Sequence, residues 1–459
     1  MKQSSKTLRK MLAVALAVAT IGSAGILTEV GTVVGTEITA NAANYELHTY
    51  NNITYALYSD GTAEAVSYSG SNKDFSTTTF AMPSVIYSKN LGKDYILDRS
   101  QFTVTRMQAD GFSGIKAGIF SLPNSLQVLF GGFRNTEIGS FVIATNNAYF
   151  SLSSSAGGIL LNTSGTEIIA YPSKPSLYWD QDFIYIPSTV TRIGNFAFTG
   201  YKATSITIPS TVTYVGNAAF EYSSLQTITF SGCPSFYQAS GESVCSFDNA
   251  TKLYSIKING TNGNYSTDTY GMLYNKDKTK FIYCPLGRTS AFNVADTCTE
   301  IVDWAFHKSS AKPVIYDNVT KLSSIAFDGV KSGFKLYCLK DTTIETFAKN
   351  NNINYGYHFE YTVSGNNVTV TKYSGPYNGP SLPEKVKGKT ITAIGAEAFK
   401  GNTTLDGVYL SSTKITSIGD SAFYGCTKLK ISICRVPLQV SGRKLFTIPL
   451  QQALLFQAV

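Results

Sequence analysis

Residues 182–230 read DFIYIPSTVTRIGNFAFTGYKATSITIPSTVTYVGNAAFEYSSLQTITF and contain one phrase written twice. Ile184, Ile186, Pro187, Val190, Ile193, Gly194, Ala197 and Phe198 return as Ile206, Ile208, Pro209, Val212, Val215, Gly216, Ala219 and Phe220, each 22 residues on. A constant period of this length marks a solenoid, whose units are single turns that cannot bury their apolar faces without neighbours. In Ile206-Thr207-Ile208 the side chains alternate, so both isoleucines face inward and Thr207 faces out. Pro209 has no N–H for a ladder and ends the strand. Val212, Val215 and Phe220 then return to the inside, with Gly216 where a bend needs room.

The pattern I-x-I-P-x-x-V-x-x-I-G-x-x-A-F resembles the BspA-like leucine-rich repeats of bacterial surface proteins. It recurs near the C-terminus, where ITAIGAEAFKGNTTL and ITSIGDSAFYGCTKL set Phe399 and Phe423 24 residues apart. The resemblance implies a secreted or surface-attached, non-catalytic interaction scaffold, some members being adhesins, and it names no ligand. Together the residues and the resemblance predict a mainly β leucine-rich-repeat solenoid of short stacked strands, with hairpin insertions and little helix.

The N-terminus reads as an export signal. Lys2, Lys6, Arg9 and Lys10 precede an apolar run at residues 11–19, and Ala40-Asn41-Ala42 supplies a small-x-small cleavage site. Gly22, Gly25, Thr28 and Glu29 interrupt the run before a membrane span of about 20 residues is reached. The mature chain is expected to begin at Ala43, with no transmembrane segment after cleavage, and to be secreted or held at a bacterial cell surface.

Five segments follow from this reading: the signal at 1–42, a degenerate opening or capping repeat at 43–98, a first repeat block at 99–358, a second at 359–433, and an anomalous tail at 434–459. Residues 53–71 and 359–376 are a pair of hairpin-like openings, the first turning at Asp60-Gly61. Gly111-Phe112 and Gly132-Phe133 are faint echoes of the Ala-Phe position. GILLNTSGTEIIAYP (158–172) aligns without gaps onto GMLYNKDKTKFIYCP (271–285), a strand-turn-strand insertion expected to project from the coil. LYCLKDTTIETFAKNNNINY, which contains Phe347, resembles the family's exit segment, a short helix followed by a strand.

The tail breaks the pattern. CRVPLQVSGRKLFTIPLQQALLFQAV has no Ile-Gly, no Ala-Phe and no period. Back-translated with each codon begun at the third base of the preceding one, synonymous choices let it read LPSTVTSIGKKAFYNSTATSFTVSSS, a near copy of residues 186–211. A reading-frame shift is therefore expected at the tail; the rival is an apolar C-terminal segment docked on the last coil.

Charge and chemistry exclude several functions. The net charge is +8, but the signal carries +2 of it and Arg435, Arg443 and Lys444 another +3, leaving no basic cluster for nucleic acid. Cys233 and Cys245 flank one irregular loop and are the only plausible disulfide; buried free thiols are the default for all seven cysteines. His48, His307 and His358 have no second ligand at metal spacing, and no nucleophile elbow, phosphate loop or zinc motif occurs. No catalytic residue, cofactor or metal is expected.

The candidate ligand face is a row of side chains on the outer strand surface. Thr207, Thr229 and Lys257 should point away from the core beside Tyr185, and Tyr178-Trp179 stand just before the best repeats. The expected role is adhesion or binding by a monomer to an extracellular host protein or glycan. A carbohydrate-binding module, or the non-catalytic front of a longer secreted enzyme, are the alternatives.

Overall fold

The computed structural model describes residues 45–93, 96–144, 146–153, 158–173, 185–238, 244–261, 263–409, 414–429, 431–433 and 439–440. They fall into two compact units, one ending at Tyr265 and the other beginning at Ser266. Both are stacks of mainly β coils.

The first unit opens on an antiparallel run of three strands, Tyr45–Tyr50, Ile53–Tyr58 and Thr62–Tyr68. The second turn forms because Asp60 Oδ1 accepts the Thr62 N–H at 2.8 Å while Gly61 takes φ +87°. Strand Thr62–Tyr68 then runs parallel to Gln101–Gln108, so the opening strands join the ladder of the first unit. Beneath it, Phe80, Phe112, Phe120, Phe133 and Phe141 share one buried cluster. Gly111 precedes Phe112 because a Cβ there would lie 1.8 Å from the Val66 carbonyl oxygen.

The regular coils carry two parallel ladders. Ser205–Ile208, Thr227–Phe230 and Ser255–Ile258 form one; Arg192–Ile193, Tyr214–Val215 and Ser235–Phe236 form the other. Val190, Ile193, Ile208, Val215, Ala219 and Phe220 are fully buried, as the repeat requires. The phenylalanines stack into a column: Phe198 on Phe220 at 5.3 Å, and Phe220 on Phe247 at 5.8 Å. Tyr171 tops the column, 4.7 Å from Phe198. The repeated threonine after the buried valine or isoleucine seals coil to coil, Thr213 Oγ1 donating to the Thr191 carbonyl at 3.2 Å and Thr416 Oγ1 to that of Thr392 at 3.3 Å.

Two conformational demands explain the glycines. The Ile-Gly glycine is needed for close approach rather than for a bend: a Cβ on Gly216 would sit 2.7 Å from the backbone of Asn195 and Gly194 on the preceding coil. The second residue after the column phenylalanine instead adopts the left-handed region, at Gly200, Gly329, Gly401 and Gly425, and also at Tyr222, Asn249 and Lys308.

In the second unit, Phe281 stacks on Phe306 at 4.7 Å and Phe306 on Phe327 at 5.0 Å. The exit segment is the helix Thr343–Asn350, where Thr342 Oγ1 accepts the Glu345 N–H, and the strand Tyr355–Tyr357 follows. Phe359–Ser364 and Asn367–Tyr373 repeat the opening hairpin, and the latter runs parallel to Lys389–Ile394. Tyr373, Phe399 and Phe423 then stack at 5.2 and 5.0 Å. Of the tail, Gln439–Val440 pairs parallel to Ser417–Ile418, and the rest lies outside the described residues.

The duplicated insertions do not project as expected. Glu167–Ala170 and Lys280–Tyr283, their second strands, each enter a parallel ladder, with Arg192–Ile193 and Glu300–Ile301 respectively. Ile168 and Phe281 are fully buried, and burial of those side chains pulls the hairpin into the stack. The duplication extends to the turn. Asn162 Oδ1 accepts the Glu167 N–H at 3.0 Å, and Asn275 Oδ1 accepts that of Lys280 at 2.9 Å.

Candidate binding face

The outer surface of the three-stranded ladder follows from the alternation in I-T-I. Ile206, Ile228 and Ile256 are paired across the strands and buried, so the residues between them must face out. Thr207 stands opposite Thr229, and Thr229 opposite Lys257. Thr207 and Lys257 are exposed and Thr229 is half-buried. A second outward row, Ser205, Thr227 and Ser255, lies beside the first. Neighbouring strands stand about 4.7–4.9 Å apart, so the two rows form an array of hydroxyls with a single charge, Lys257.

Tyr185 is 44% exposed, and its backbone bonds the hydroxyl of Tyr171, whose phenol burial pushes up to about 12. It lies in no described strand, so the ladder brings together Thr207, Thr229 and Lys257 without it. Tyr178 and Trp179 lie outside the described residues. Sequence reasoning passed over Tyr254, 43% exposed, which leads into the strand Ser255–Ile258 with its N–H bonded to the Gln226 carbonyl. Its only signal was its place in line with Gln226, one residue before an alternating run.

On the other ladder, the Arg192 guanidinium lies 4.0 Å over the Tyr214 ring and 3.9 Å from Glu167. Arg134 bonds the buried Glu221 at 2.7 Å and faces the rings of Phe196 and Tyr222. Both clusters tie coils together through groups far apart in sequence.

The thiols are poorly suited to chemistry. No disulfide joins Cys233 to Cys245, and the described cysteines are all thiols. Burial pushes the thiols of Cys284 and Cys338 up to about 12 and that of Cys298 up to about 11, the opposite of what a nucleophile needs. Among the described residues no three His, Cys, Asp or Glu side chains gather to hold a metal ion. No helix among them is long and apolar enough to cross a membrane.

The repeats match the family described as BspA type leucine rich repeat region, in six copies over residues 178–285 and 377–450. Comparison with curated proteins finds no match. Among solved structures, a leucine rich cell surface protein from Faecalibacterium prausnitzii A2-165 is 15% identical, with 90% of this chain and 97% of that chain covered and a TM-score of 0.30. A leucine-rich repeat protein from Bacteroides ovatus is 14% identical, covering 88% and 99%, with a TM-score of 0.30. The pneumococcal vaccine antigen PcpA is 15% identical, covering 88% and 82%, with a TM-score of 0.28. At such scores the arrangement of the coils rests on this chain's own strand pairing.

Proposed function

We propose that the chain, whose residues 178–285 and 377–450 match the BspA type leucine rich repeat model, is a non-catalytic binding scaffold displayed outside a bacterial cell. In this reading residues 1–42 direct export, the mature chain begins at Ala43, and an extracellular protein or glycan is bound through the outer ladder. The in-register row Thr207, Thr229 and Lys257 carries the proposal. A row of short hydroxyl side chains on a rigid sheet is already ordered before a ligand arrives, so docking costs little side-chain entropy.

The test is a binding screen of the exported protein against matrix proteins and a glycan array. The double variant Thr207→Glu/Thr229→Glu places two carboxylates on the row without touching the core. It should lower affinity at least tenfold with an unchanged melting temperature. Binding that survives the double variant would remove this face from consideration. Retention of a glycan that is lost on Tyr254→Ala would favour the carbohydrate-binding reading, since an exposed tyrosine flanking the array offers a ring on which a sugar can stack.

A further inference from the structure

His358 is buried completely within the second unit, yet it is a polar, titratable side chain with half its hydrogen-bonding capacity unused. Its Nδ1 meets the Tyr316 hydroxyl at 3.0 Å, while Nε2 has no partner. Four rings enclose the imidazole: Tyr316 at 5.6 Å, Phe359 and Tyr373 at 5.4 Å, and Tyr377 at 5.9 Å. Gly375 closes the remaining side so tightly that a Cβ there would lie 2.2 Å from His358 Cδ2. The pocket is assembled from three parts of the chain. Tyr316 ends one coil, His358 leads into the second opening hairpin, and residues 373–377 follow that hairpin. The backbone closes the seam, with Ser374 N–H bonded to the His358 carbonyl at 3.1 Å.

We propose that His358 is an acid-sensitive latch, which seats residues 374–381 at neutral pH and releases them in acid. A second proton on the ring, whichever nitrogen takes it, would be a buried charge with nothing on the packed segments to offset it. No carboxylate of the packed segments compensates. Glu360 pairs with Lys372 at 3.8 Å, and Asp317 accepts the Lys387 N–H. Asp296 acts on Tyr316 and Arg288 on Tyr377, not on the imidazole. Lys340, Asp341 and Glu384 lie on neighbouring stretches and do not act on the ring either.

Burial alone holds the imidazole down to about 3, against an ordinary value of 6.5. The closed form stays neutral while the open form takes up a proton, so closure is complete above pH 6.5 and is lost as pH falls from there toward 3. Each unit of pH in that window weakens closure about tenfold. Release frees Tyr377, whose hydroxyl donates to Asn293 Oδ1 at 2.8 Å, and bares an aromatic surface made by Tyr316, Tyr373 and Tyr377.

Hydrogen–deuterium exchange on the full-length protein tests this. Corrected for intrinsic rates, amides of residues 374–381 should lose protection roughly 15-fold between pH 6.5 and about pH 5. Amides of the strand Thr227–Phe230 should hold theirs. His358→Gln, whose amide can still hydrogen-bond the Tyr316 hydroxyl but does not titrate, should abolish the pH dependence at 374–381. Gly375→Ala should open the segment already at neutral pH. Protection at 374–381 that is flat with pH, or lost equally in Thr227–Phe230, overturns the proposal whether or not the variants fold. Acid release persisting in His358→Gln overturns it as well.

Discussion

At the scale of single residues, two kinds of position matter most: those in the ring column and those in the left-handed turn that follows it. Phe220 is fully buried between Phe198 and Phe247, touching the core of three coils at once. Phe220→Ala should cost about 3–5 kcal/mol, read as a lower midpoint in urea or on heating. An unchanged midpoint would place the ring outside the core. Gly401 makes the opposite test, because it has open space around it and φ +74°. Gly401→Ala should therefore destabilise through backbone conformation alone, by about 1–2 kcal/mol. Tyr222 and Lys308 bear this same cost in the native chain.

Among elements, the hairpins join the stack through an asparagine that serves the turn as a side-chain cap. Asn275 Oδ1 accepts the Lys280 N–H, and Nδ2 donates to Thr279 Oγ1 at 2.8 Å; Asn162 does the same for Glu167 and Thr166. Asn275→Ala leaves a ladder N–H without its acceptor and should lower stability by about 1–2 kcal/mol. Asn162→Ala should cost a similar amount, since the two turns are built alike. A melting temperature that does not move in either variant would mean that water replaces the amide. The hairpin strands were readable from alternation and from their duplication. Their place in the ladder was not, because the residues that pull them inward, Ile168 and Phe281, look the same in a projecting hairpin.

For the molecule as a whole, charge decides which partners are remote. The +8 shrinks to +3 once residues 1–42 and the tail are set aside. Several of the remaining cations are matched, Lys349 to Glu345 at 2.7 Å and Lys280 to Glu300 at 3.7 Å among them. The protein without residues 1–42 should therefore pass through immobilised heparin or duplex DNA at about 0.15 M salt, where the Debye length is about 8 Å. Retention that weakens steeply with salt would reveal a basic surface and reopen the nucleic-acid reading.

The coil was legible in the sequence alone: a 22-residue period, an inward column and an outward row of Thr207, Thr229 and Lys257, because each depends only on local alternation and on similar neighbours stacking in register. The sequence underread the column's ends, where Tyr171 and Phe247 stand at irregular spacing and the flanking motif is degraded. Tertiary structure alone decided the joints. Arg134 reaches Glu221 across 87 residues, and Tyr316 reaches His358 across 42. Such partners share no period. They meet because of where the coils bring their turns, and a lone histidine becomes a buried one only when another part of the chain closes over it.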